Sequence, residues 1–235
     1  MTEEREPDGF KIAAEHNIAA ARRAARIAPK KTPQEQELLK HHRIMMTAAH
    51  NGVLATFSAM HPAVQKAVVN WHDPDPKTNG WTALMSASSK GHVEIVKHLL
   101  SIGADVSLVD DTGRGAIDCA ARDGRAAVIT ALLEAGADLN RPCPGGWTPL
   151  MESALAGHAD ATRIFLERGA DTRVEYPRGG LIRTEAIRRG HHAIAALIDA
   201  EEKKRGAIAA ANLVEKGTAE TITVSRRPLK LKPNA

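Results

Sequence analysis

Hydrophobic and polar positions in the middle of the chain alternate with a helical period. Residues 93–100 place valine, isoleucine and leucine side chains three and four positions apart, with polar residues between them. A shorter apolar stripe that contains Leu84 and Ala87 precedes them and ends at Gly91. The pattern predicts two short helices joined by a glycine turn. Because helices of roughly ten residues are marginal alone, each pair needs neighbours to pack against.

This helix pair recurs with a period of 33 residues. Glycines mark the period in three registers: before the first helix, between the two helices and after the second helix. They are Gly80, Gly113, Gly146 and Gly179, then Gly91, Gly124, Gly157 and Gly190, then Gly103, Gly136 and Gly169. A fixed period of this length is the signature of a repeat architecture. Stacked repeats bury one continuous core, which explains how such short helices become stable.

Local signals at the ends of the helices agree with the period. Asn79-Gly80 is a turn dipeptide. Thr82 and Thr148 are placed to cap the helices that follow them. Pro149 falls at a first helical position, where its missing N–H costs nothing. These signals predict that each repeat begins with a turn and continues into two helices.

The repeat units share short motifs. Residues 80–85 read Gly-Trp-Thr-Ala-Leu-Met, residues 113–118 read Gly-Arg-Gly-Ala-Ile-Asp, and residues 146–151 read Gly-Trp-Thr-Pro-Leu-Met. On these motifs and the Gly-Ala-Asp endings, the chain closely resembles the ankyrin-repeat family over about residues 40–200, most strongly over residues 77–174. The resemblance implies an all-α fold. It would be an ankyrin-type helix-turn-helix repeat solenoid with a helical N-terminal extension and a flexible C-terminal tail.

The period divides the chain into seven segments. They are an N-terminal helical extension (1–39), a degenerate first repeat (40–76), repeats 2, 3 and 4 (77–109, 110–142 and 143–175), a C-terminal capping repeat (176–200) and a basic C-terminal extension (201–235). The interval from Gly52 to Gly91 is 39 residues, so the first repeat is predicted to have an enlarged second helix or exit loop. His61-Pro62 is expected to start or kink that helix, which would end near Trp71.

Two further stretches depart from the repeat pattern. Residues 73–76 read Asp-Pro-Asp-Pro and are predicted to form a stiff connection. In the last repeat, Leu181, Ile182 and Arg183 stand where Thr-Pro-Leu is expected, so an arginine replaces a core leucine. Terminal repeats with a more polar face are expected as caps.

The two flanks carry weaker signals. Residues 10–28 are rich in alanine, and we expect a helix that docks on the exposed end of the solenoid; a membrane-surface helix is disfavoured because alanine buries little area. Residues 34–43 are expected to lead helically into the first repeat, and residues 201–205 to form a charged helical exit. Residues 221–233 alternate apolar and polar side chains, which fits a solvated chain, a small hairpin or a strand added to a partner.

Charge and composition narrow the function classes. The formal net charge of +4 belongs to residues 201–235, which carry 8 basic and 4 acidic side chains. No apolar run approaches the ~18 residues of a membrane span, and the acidic start of the chain lacks the apolar core of a signal peptide. Cys119 and Cys143 are interpreted as free thiols in a reducing compartment. We therefore expect a cytoplasmic monomer, although the basic C-terminus weakly resembles the export signal of some bacterial secreted effectors.

The resemblance also implies which residues contact a partner, because partners of ankyrin repeats usually contact the turn tips and the concave face of the first helices. The tip residues assigned to protein binding are Asn79, Trp81, Arg114, Trp147 and Arg178, beside Thr78, Asp111 and Thr112. The concave residues assigned to protein binding are Lys90, Arg122, Leu155, Arg188 and Arg189, beside Ser89, Asp123 and Ala156.

The concave positions suggest the chemistry of the ligand. Four of the eight are basic and one is acidic. Since the planar fork of arginine holds a carboxylate in two hydrogen bonds, an acidic protein surface or peptide is the expected ligand. The alternatives are a solvated charged face and, for Trp81 and Trp147, packing on the adjacent turn.

The histidines do not favour a metal site. The doublets His41-His42 and His191-His192 point about 100° apart on a helix, which suits a shared ligand poorly. No spacing of cysteine and histidine resembles a zinc site. Three histidines that follow the glycine between the helices are expected to hydrogen-bond the turn: His92, His158 and His191.

The chain also lacks the usual signals of an enzyme. Asp118-Cys119 joins an acid to a thiol without an assignable base, and no phosphate loop, dinucleotide fingerprint or nucleophile elbow occurs. We therefore predict a non-enzymatic scaffold or adaptor for protein–protein interaction, with no metal and no cofactor. One alternative is association with an anionic surface or nucleic acid through the basic tail from Lys203 to Lys232, although that tail has no aromatic residue for base stacking. Another is an inhibitory or chaperone subunit whose tail inserts into one partner.

Overall fold

The structure is a computed structural model that describes residues 32–72, 79–175 and 179–224, with side chains as far as residue 208. These residues form eleven helices. In chain order they are α1 (Pro33–Asn51), α2 (Leu54–Ala59), α3 (Pro62–Val68), α4 (Ala83–Lys90), α5 (Val93–Ser101), α6 (Ala116–Arg122), α7 (Ala126–Glu134), α8 (Pro149–Leu155), α9 (Ala159–Glu167), α10 (Ile182–Arg188) and α11 (His192–Val224).

The helices form two stacked layers. In the inner layer α1, α4, α6, α8 and α10 pack each on the next, and in the outer layer α5, α7, α9 and α11 do the same. At the start of the stack, α3 packs against α1. The apolar core includes Leu84, Leu99, Leu132 and Phe165, which are all buried. The predicted all-α repeat solenoid is confirmed.

The caps predicted from the sequence are present. The Thr82 hydroxyl accepts a hydrogen bond from the Met85 N–H at 3.3 Å, and the Thr148 hydroxyl accepts one from the Met151 N–H at 3.3 Å. Pro149 is the first residue of α8. Both threonines satisfy a helix N–H that has no partner within the helix.

The glycine that ends each inner helix except α10 lies under a side chain of the next repeat. Gly124 has a φ of 68°, in the left-handed region, and a Cβ there would lie 2.5 Å from the His158 ring. His158 donates from Nε2 to the Arg122 carbonyl at 2.9 Å. The same bond joins His92 to the His50 carbonyl (3.1 Å) and His191 to the Leu155 carbonyl (3.2 Å).

These side chains join consecutive repeats. The predicted hydrogen bonds of the three histidines are confirmed, and the acceptor is the end of the preceding inner helix. In the third repeat Arg125 stands in place of histidine, and its Nε donates to the Ser89 carbonyl at 2.8 Å. Each bond satisfies a carbonyl that has no partner at the C-terminal end of its helix.

The first repeat contains an inserted helix. α2 accounts for the long interval between Gly52 and Gly91, and α3 starts at Pro62, as predicted. The Gln65 amide donates to the Phe57 carbonyl at 2.6 Å and to the Met60 carbonyl at 2.9 Å, which fastens α2 to α3. The predicted stiff connection at 73–76 lies outside the described residues.

The last repeat forms despite its unusual sequence. Leu181 pairs with Glu175 in an isolated antiparallel bridge, and α10 begins at Ile182, which is buried. Arg183, which replaces the core leucine, forms an ion pair with Asp199 of α11. The charge of Arg183 is therefore paired within the repeat, and its side chain is 43% exposed where the other repeats bury an apolar residue.

The last helix crosses the predicted boundary at 200. α11 runs continuously to Val224, so the charged exit at 201–205 is helical as predicted. The helix also includes Thr221–Val224, where a hairpin, a strand or a solvated chain was expected; residues 225–235 lie outside the described part of the chain. Arg205 fixes α11 to the preceding repeat by donating to the Leu166 and Ala170 carbonyls at 2.9 and 2.8 Å. None of the helices in the described ranges has the length and apolarity needed to cross a membrane.

Both cysteines are free and buried. Cys119 is part of α6, and Cys143 lies in the loop that leads to α8. Burial raises the pKa of the Cys119 thiol to about 12. Burial also raises the pKa of the Cys143 thiol. Both thiols are therefore protonated and inert at neutral pH.

We predict that Gly124→Ala destabilises the protein more than Gly136→Ala. Both glycines have a positive φ, which costs about 1–2 kcal/mol for a residue with a Cβ. At Gly136 nothing lies within 4 Å of the added Cβ, whereas at Gly124 the His158 ring must move. Loss of the His158 hydrogen bond adds about 1–3 kcal/mol. Urea denaturation of both variants measures the difference, and equal losses would contradict the contact.

We predict that a disulfide reagent such as DTNB reacts slowly with the native protein at pH 8. The thiolates are rare in the fold because both thiols are buried and their pKa values are raised. In denaturant the same reagent should release two equivalents per chain, one for each cysteine. Rapid reaction before unfolding would contradict the buried positions of Cys119 and Cys143.

Candidate protein-binding surface

The turn tips repeat one backbone geometry. The Asp110 N–H donates to the Arg114 carbonyl at 2.8 Å, and one repeat later the Cys143 N–H donates to the Trp147 carbonyl at 2.8 Å. Each tip contains a glycine in the left-handed region, at 113 and 146. Adjacent tips are also joined, because the Asp111 N–H donates to the carbonyl of exposed Asn79 at 2.8 Å.

Trp81 packs on the next turn, as one of the two interpretations predicted. The side chain is half-buried, and its indole N–H donates to Asp110 Oδ2 at 3.2 Å. The other oxygen of Asp110 accepts from the Thr112 and Arg114 N–H groups at 2.8 and 2.9 Å. Trp147 is also half-buried and packs against the core. Each tryptophan therefore keeps an exposed part at a tip, while most of its ring stabilises the repeat.

Two ion pairs were not predicted: Asp118 with Arg141 within the third repeat, and Arg114 with Glu152 between the third and fourth repeats. Asp118 Oδ2 accepts from Arg141 at 2.8 Å and from the Gly115 N–H at 2.7 Å, with its side chain fully buried. Arg114 lies 3.3 Å from Glu152, whose side chain is 10% exposed. Burial raises the pKa of the Asp118 carboxyl, although the Gly115 N–H and Arg141 favour its charged form. Arg114, which was assigned to protein binding, therefore also pairs with a carboxylate inside the protein.

One sequence signal does point to the first pair. Asp118 occupies the position that holds Met85 and Met151 in the neighbouring repeats. A carboxylate at a position that is otherwise apolar requires a partner when it is buried. Its partner Arg141 lies 23 residues away in the same repeat, far beyond the three- and four-residue spacings that helical periodicity reveals.

The concave positions form a row across four repeats. They are the last residues before the helix-ending glycines: Lys90, Ala156 and Arg189 are exposed, and Asp123 is half-buried. The row is linked between repeats, because the Ser89 hydroxyl donates to Asp123 Oδ2 at 2.5 Å. Arg189 donates to the Leu155 carbonyl at 3.2 Å.

The remaining predicted site residues differ in accessibility. Leu155 is buried at 4% exposure, so its side chain is part of the core and does not line the concave surface. Arg122 is half-exposed and lies 3.4 Å from Asp123 Oδ1. Arg188 is exposed and pairs with Glu185. Arg178 lies outside the described residues.

The concave charges are partly neutralised within the chain. Glu185 Oε2 and Oε1 accept from Arg188 Nε and Nη2, both at 2.7 Å, and Oε1 also accepts from Arg189 Nε at 2.9 Å. The hydrogen bonds from Arg188 and then Arg189 lower the pKa of the Glu185 carboxyl to about 2. Lys90 is exposed and forms no ion pair with another described residue. In the part of the chain that the structure describes, no group of three or more acidic, histidine or cysteine side chains is arranged to hold a metal.

Comparison with known proteins agrees with this geometry. A family model described as "Ankyrin repeats (3 copies)" matches residues 12–110, 45–143, 102–176 and 120–207. Together these matches extend from residue 12 to residue 207 and cover well over half of the chain.

Individual relatives match shorter stretches. The chain is similar to Ankyrin repeat and SAM domain-containing protein 6 of Mus musculus, with 44% identity over 68 residues, 28% of this chain and 8% of that protein. It is also similar to the NAD-capped RNA hydrolase NUDT12 of Homo sapiens, with 52% identity over 42 residues, 18% of this chain and 9% of that protein. The chain thus spans less than a tenth of the length of either relative, and the hydrolase match does not show a catalytic domain.

Two independent observations therefore agree: the layers of paired helices, and a family match over most of the sequence. Ankyrin repeats are general modules for protein–protein interaction and are typically non-enzymatic. The chain belongs to the ankyrin-repeat family.

Proposed function

We propose that the protein is a non-enzymatic scaffold or adaptor that binds a protein or peptide through its turn tips and concave surface. The row formed by Lys90, Asp123, Ala156 and Arg189 carries this proposal, because four consecutive repeats keep the same position accessible. Stacked repeats create an extended surface of this kind, along which a ligand contacts several units at once.

The charge of the concave surface favours an acidic ligand. The surface carries four cations and two carboxylates: Asp123 pairs with Arg122, and Glu185 pairs with Arg188 and Arg189, whereas Lys90 forms no ion pair with a described residue. A carboxylate on the ligand would add to these pairs or replace them, since an arginine fork can hold more than one acceptor. Lys90 is the cation best placed to bind a carboxylate of the ligand, because no carboxylate of the described residues competes for it.

The alternative of nucleic-acid or anionic-surface association through the basic C-terminal tail has less support. At the start of that segment, Lys204 and Arg205 both pair with Glu201. Arg205 also donates hydrogen bonds that attach α11 to the preceding repeat. Its guanidinium is therefore already used within the protein.

We predict that Lys90→Glu weakens peptide binding at least about tenfold, because it reverses the accessible charge of the row; tenfold corresponds to ~1.4 kcal/mol. Peptides would be selected on the full chain from a displayed random library, and their affinities for the variant measured by fluorescence anisotropy. Lys66→Glu on α3 is the matched control, since Lys66 is also exposed but lies outside the row.

Two readouts separate the parts of this proposal. Peptides that bind the wild-type chain and Lys90→Glu equally would overturn the assignment of the concave row. Selected peptides without net negative charge, or binding that is insensitive to salt, would overturn the acidic ligand while leaving the binding module in place.

We also predict that Glu185 titrates well below its usual pKa of 4.5, at about 2. The folded state favours the ionised carboxyl, so its stabilising effect is complete above pH 4.5 and is lost as the pH falls towards 2. A carbon-detected NMR titration of the Glu185 carboxyl measures this midpoint. The double change Arg188→Gln and Arg189→Gln should return the midpoint towards 4.5, and an ordinary midpoint in the wild-type chain would contradict the pairing.

A further inference from the structure

The start of the repeat stack exposes an apolar face. Ile44, Val53 and Leu54 are 46%, 44% and 40% exposed, which is high for large aliphatic side chains. Ile44 and Val53 line a pocket of about 300 Å³ that has mainly apolar walls. The pocket is lined by Arg43, Ile44, Thr47, Ala48, Asn51, Val53 and Thr56. We name this surface the end face.

The end face lies where a preceding repeat would pack. The other side of α1 packs on α4, and α4, α6 and α8 each have an inner helix on both sides. No described helix precedes α1. Burying an aliphatic side chain of this size contributes about 1.5–3 kcal/mol, so covering three of them is a substantial gain. Solenoids need their terminal units covered for the same reason.

The chain itself supplies a segment beside this face. Residues 1–31 lie outside the described part of the chain and lead directly into Thr32. Thr32 caps α1: its hydroxyl accepts from the Glu35 N–H at 3.2 Å, and its N–H donates to the Glu35 carboxylate at 2.7 Å. The segment is therefore attached to the same helix that carries the end face.

The sequence of this segment aligns with the first repeat. Residues 13–18 read Ala-Ala-Glu-His-Asn-Ile, and residues 48–53 read Ala-Ala-His-Asn-Gly-Val. In this alignment Asn17 falls on the helix-ending Gly52, and asparagine is the usual replacement for glycine in the left-handed conformation. The family match, which begins at residue 12, includes the same stretch.

From the end face and this alignment, we propose that residues 10–28 form an additional N-terminal repeat unit that covers the end face. This unit would have two short helices, on either side of Asn17, in place of the single docking helix expected from composition. The proposal rests on the fold and the family match, and it is independent of the proposed ligand surface.

The reach of the segment agrees with this placement. In the proposed unit the connection from Ala28 to Thr32 is short, and a helix over residues 18–27 that reverses there would run back along α1. Both helices rise 1.5 Å per residue, which brings Ile18 level with Arg43 and Ile44 at the edge of the pocket. Residues 10–16 then come to the second half of α1, where the rest of the end face lies.

Maleimide labelling of Ile44→Cys in the full chain tests the proposal. The buried native cysteines give a slow background. We expect Ile44→Cys to be labelled slowly, and the added change Ile18→Asp to accelerate labelling about tenfold, which is the effect of losing one buried aliphatic contact. Arg22→Asp, in the same segment but at a polar position, is the matched control and should leave the rate slow. Ile208→Cys, at a side chain that is 52% exposed, supplies the rate of an open site.

Each other outcome overturns the proposal. Labelling of Ile44→Cys as fast as that of Ile208→Cys would show that the end face is open. If labelling of Ile44→Cys is slow only at high protein concentration and Ile18→Asp does not change its rate, a second copy of the chain covers the end face. If labelling is slow at every dilution and Ile18→Asp does not change its rate, residues 10–28 do not cover the end face. Slow labelling of Cys119 and Cys143 in the same samples verifies that the repeats remain folded.

Discussion

Consecutive repeats are held in register by one contact. It joins the glycine that ends an inner helix to the side chain that precedes the outer helix of the following repeat. The left-handed glycine ends the inner helix and leaves the last carbonyls without partners. Because the glycine has no Cβ, the His158 ring can approach Gly124 closely and donate to the Arg122 carbonyl. One residue position thus shapes the turn within a repeat and permits the docking of the next repeat. At Gly190, which no described repeat follows, nothing lies within 4 Å of an added Cβ.

Polar contacts between the turn tips also hold adjacent repeats together. Asp110 joins the indole of Trp81 to the backbone of its own turn, so two adjacent tips share one carboxylate. The buried carboxylate of Asp118 is compensated by Arg141 and a backbone N–H. Removing one partner of such a pair leaves an uncompensated buried charge, which is strongly destabilising. The side chains at the tips are therefore held in a defined arrangement, and accessible charge lies on the concave surface.

The features that the sequence predicts best depend on local spacing or on the repeat itself. The glycine period and the Thr82 and Thr148 caps are confirmed. The three histidines were expected to bond the turn, and the structure shows that each bonds a carbonyl at the end of the inner helix in the preceding repeat. The inserted helix α2 was not predicted as a separate element, because its few extra residues have no counterpart in other repeats. The pairing of Asp118 with Arg141 joins the first helix of the third repeat to the loop at the end of that repeat, and a separation of 23 residues gives no local signal in the sequence.

The candidate surface was harder to predict than the fold. Leu155 was assigned to the concave surface by its register with Arg122 and Arg188, but an apolar side chain at that position gains more by entering the core. The arginines were counted as free charge, although Glu185 lies three and four residues before Arg188 and Arg189 and bonds both. Repeat register locates a backbone position, and the chemistry of each side chain then decides whether it is buried, paired or accessible.

The length of α11 has a mechanical consequence for the whole chain. At 33 residues the helix is about 50 Å long, since a helix rises 1.5 Å per residue. Arg205 clamps it to the repeats, and the part from there to Val224 is roughly 30 Å long by the same measure. α11 therefore acts as a spacer, so that the chain after Val224 starts far from the clamp. A partner that engages both that chain and the concave surface has to span this distance, which would select large or two-site partners over short peptides.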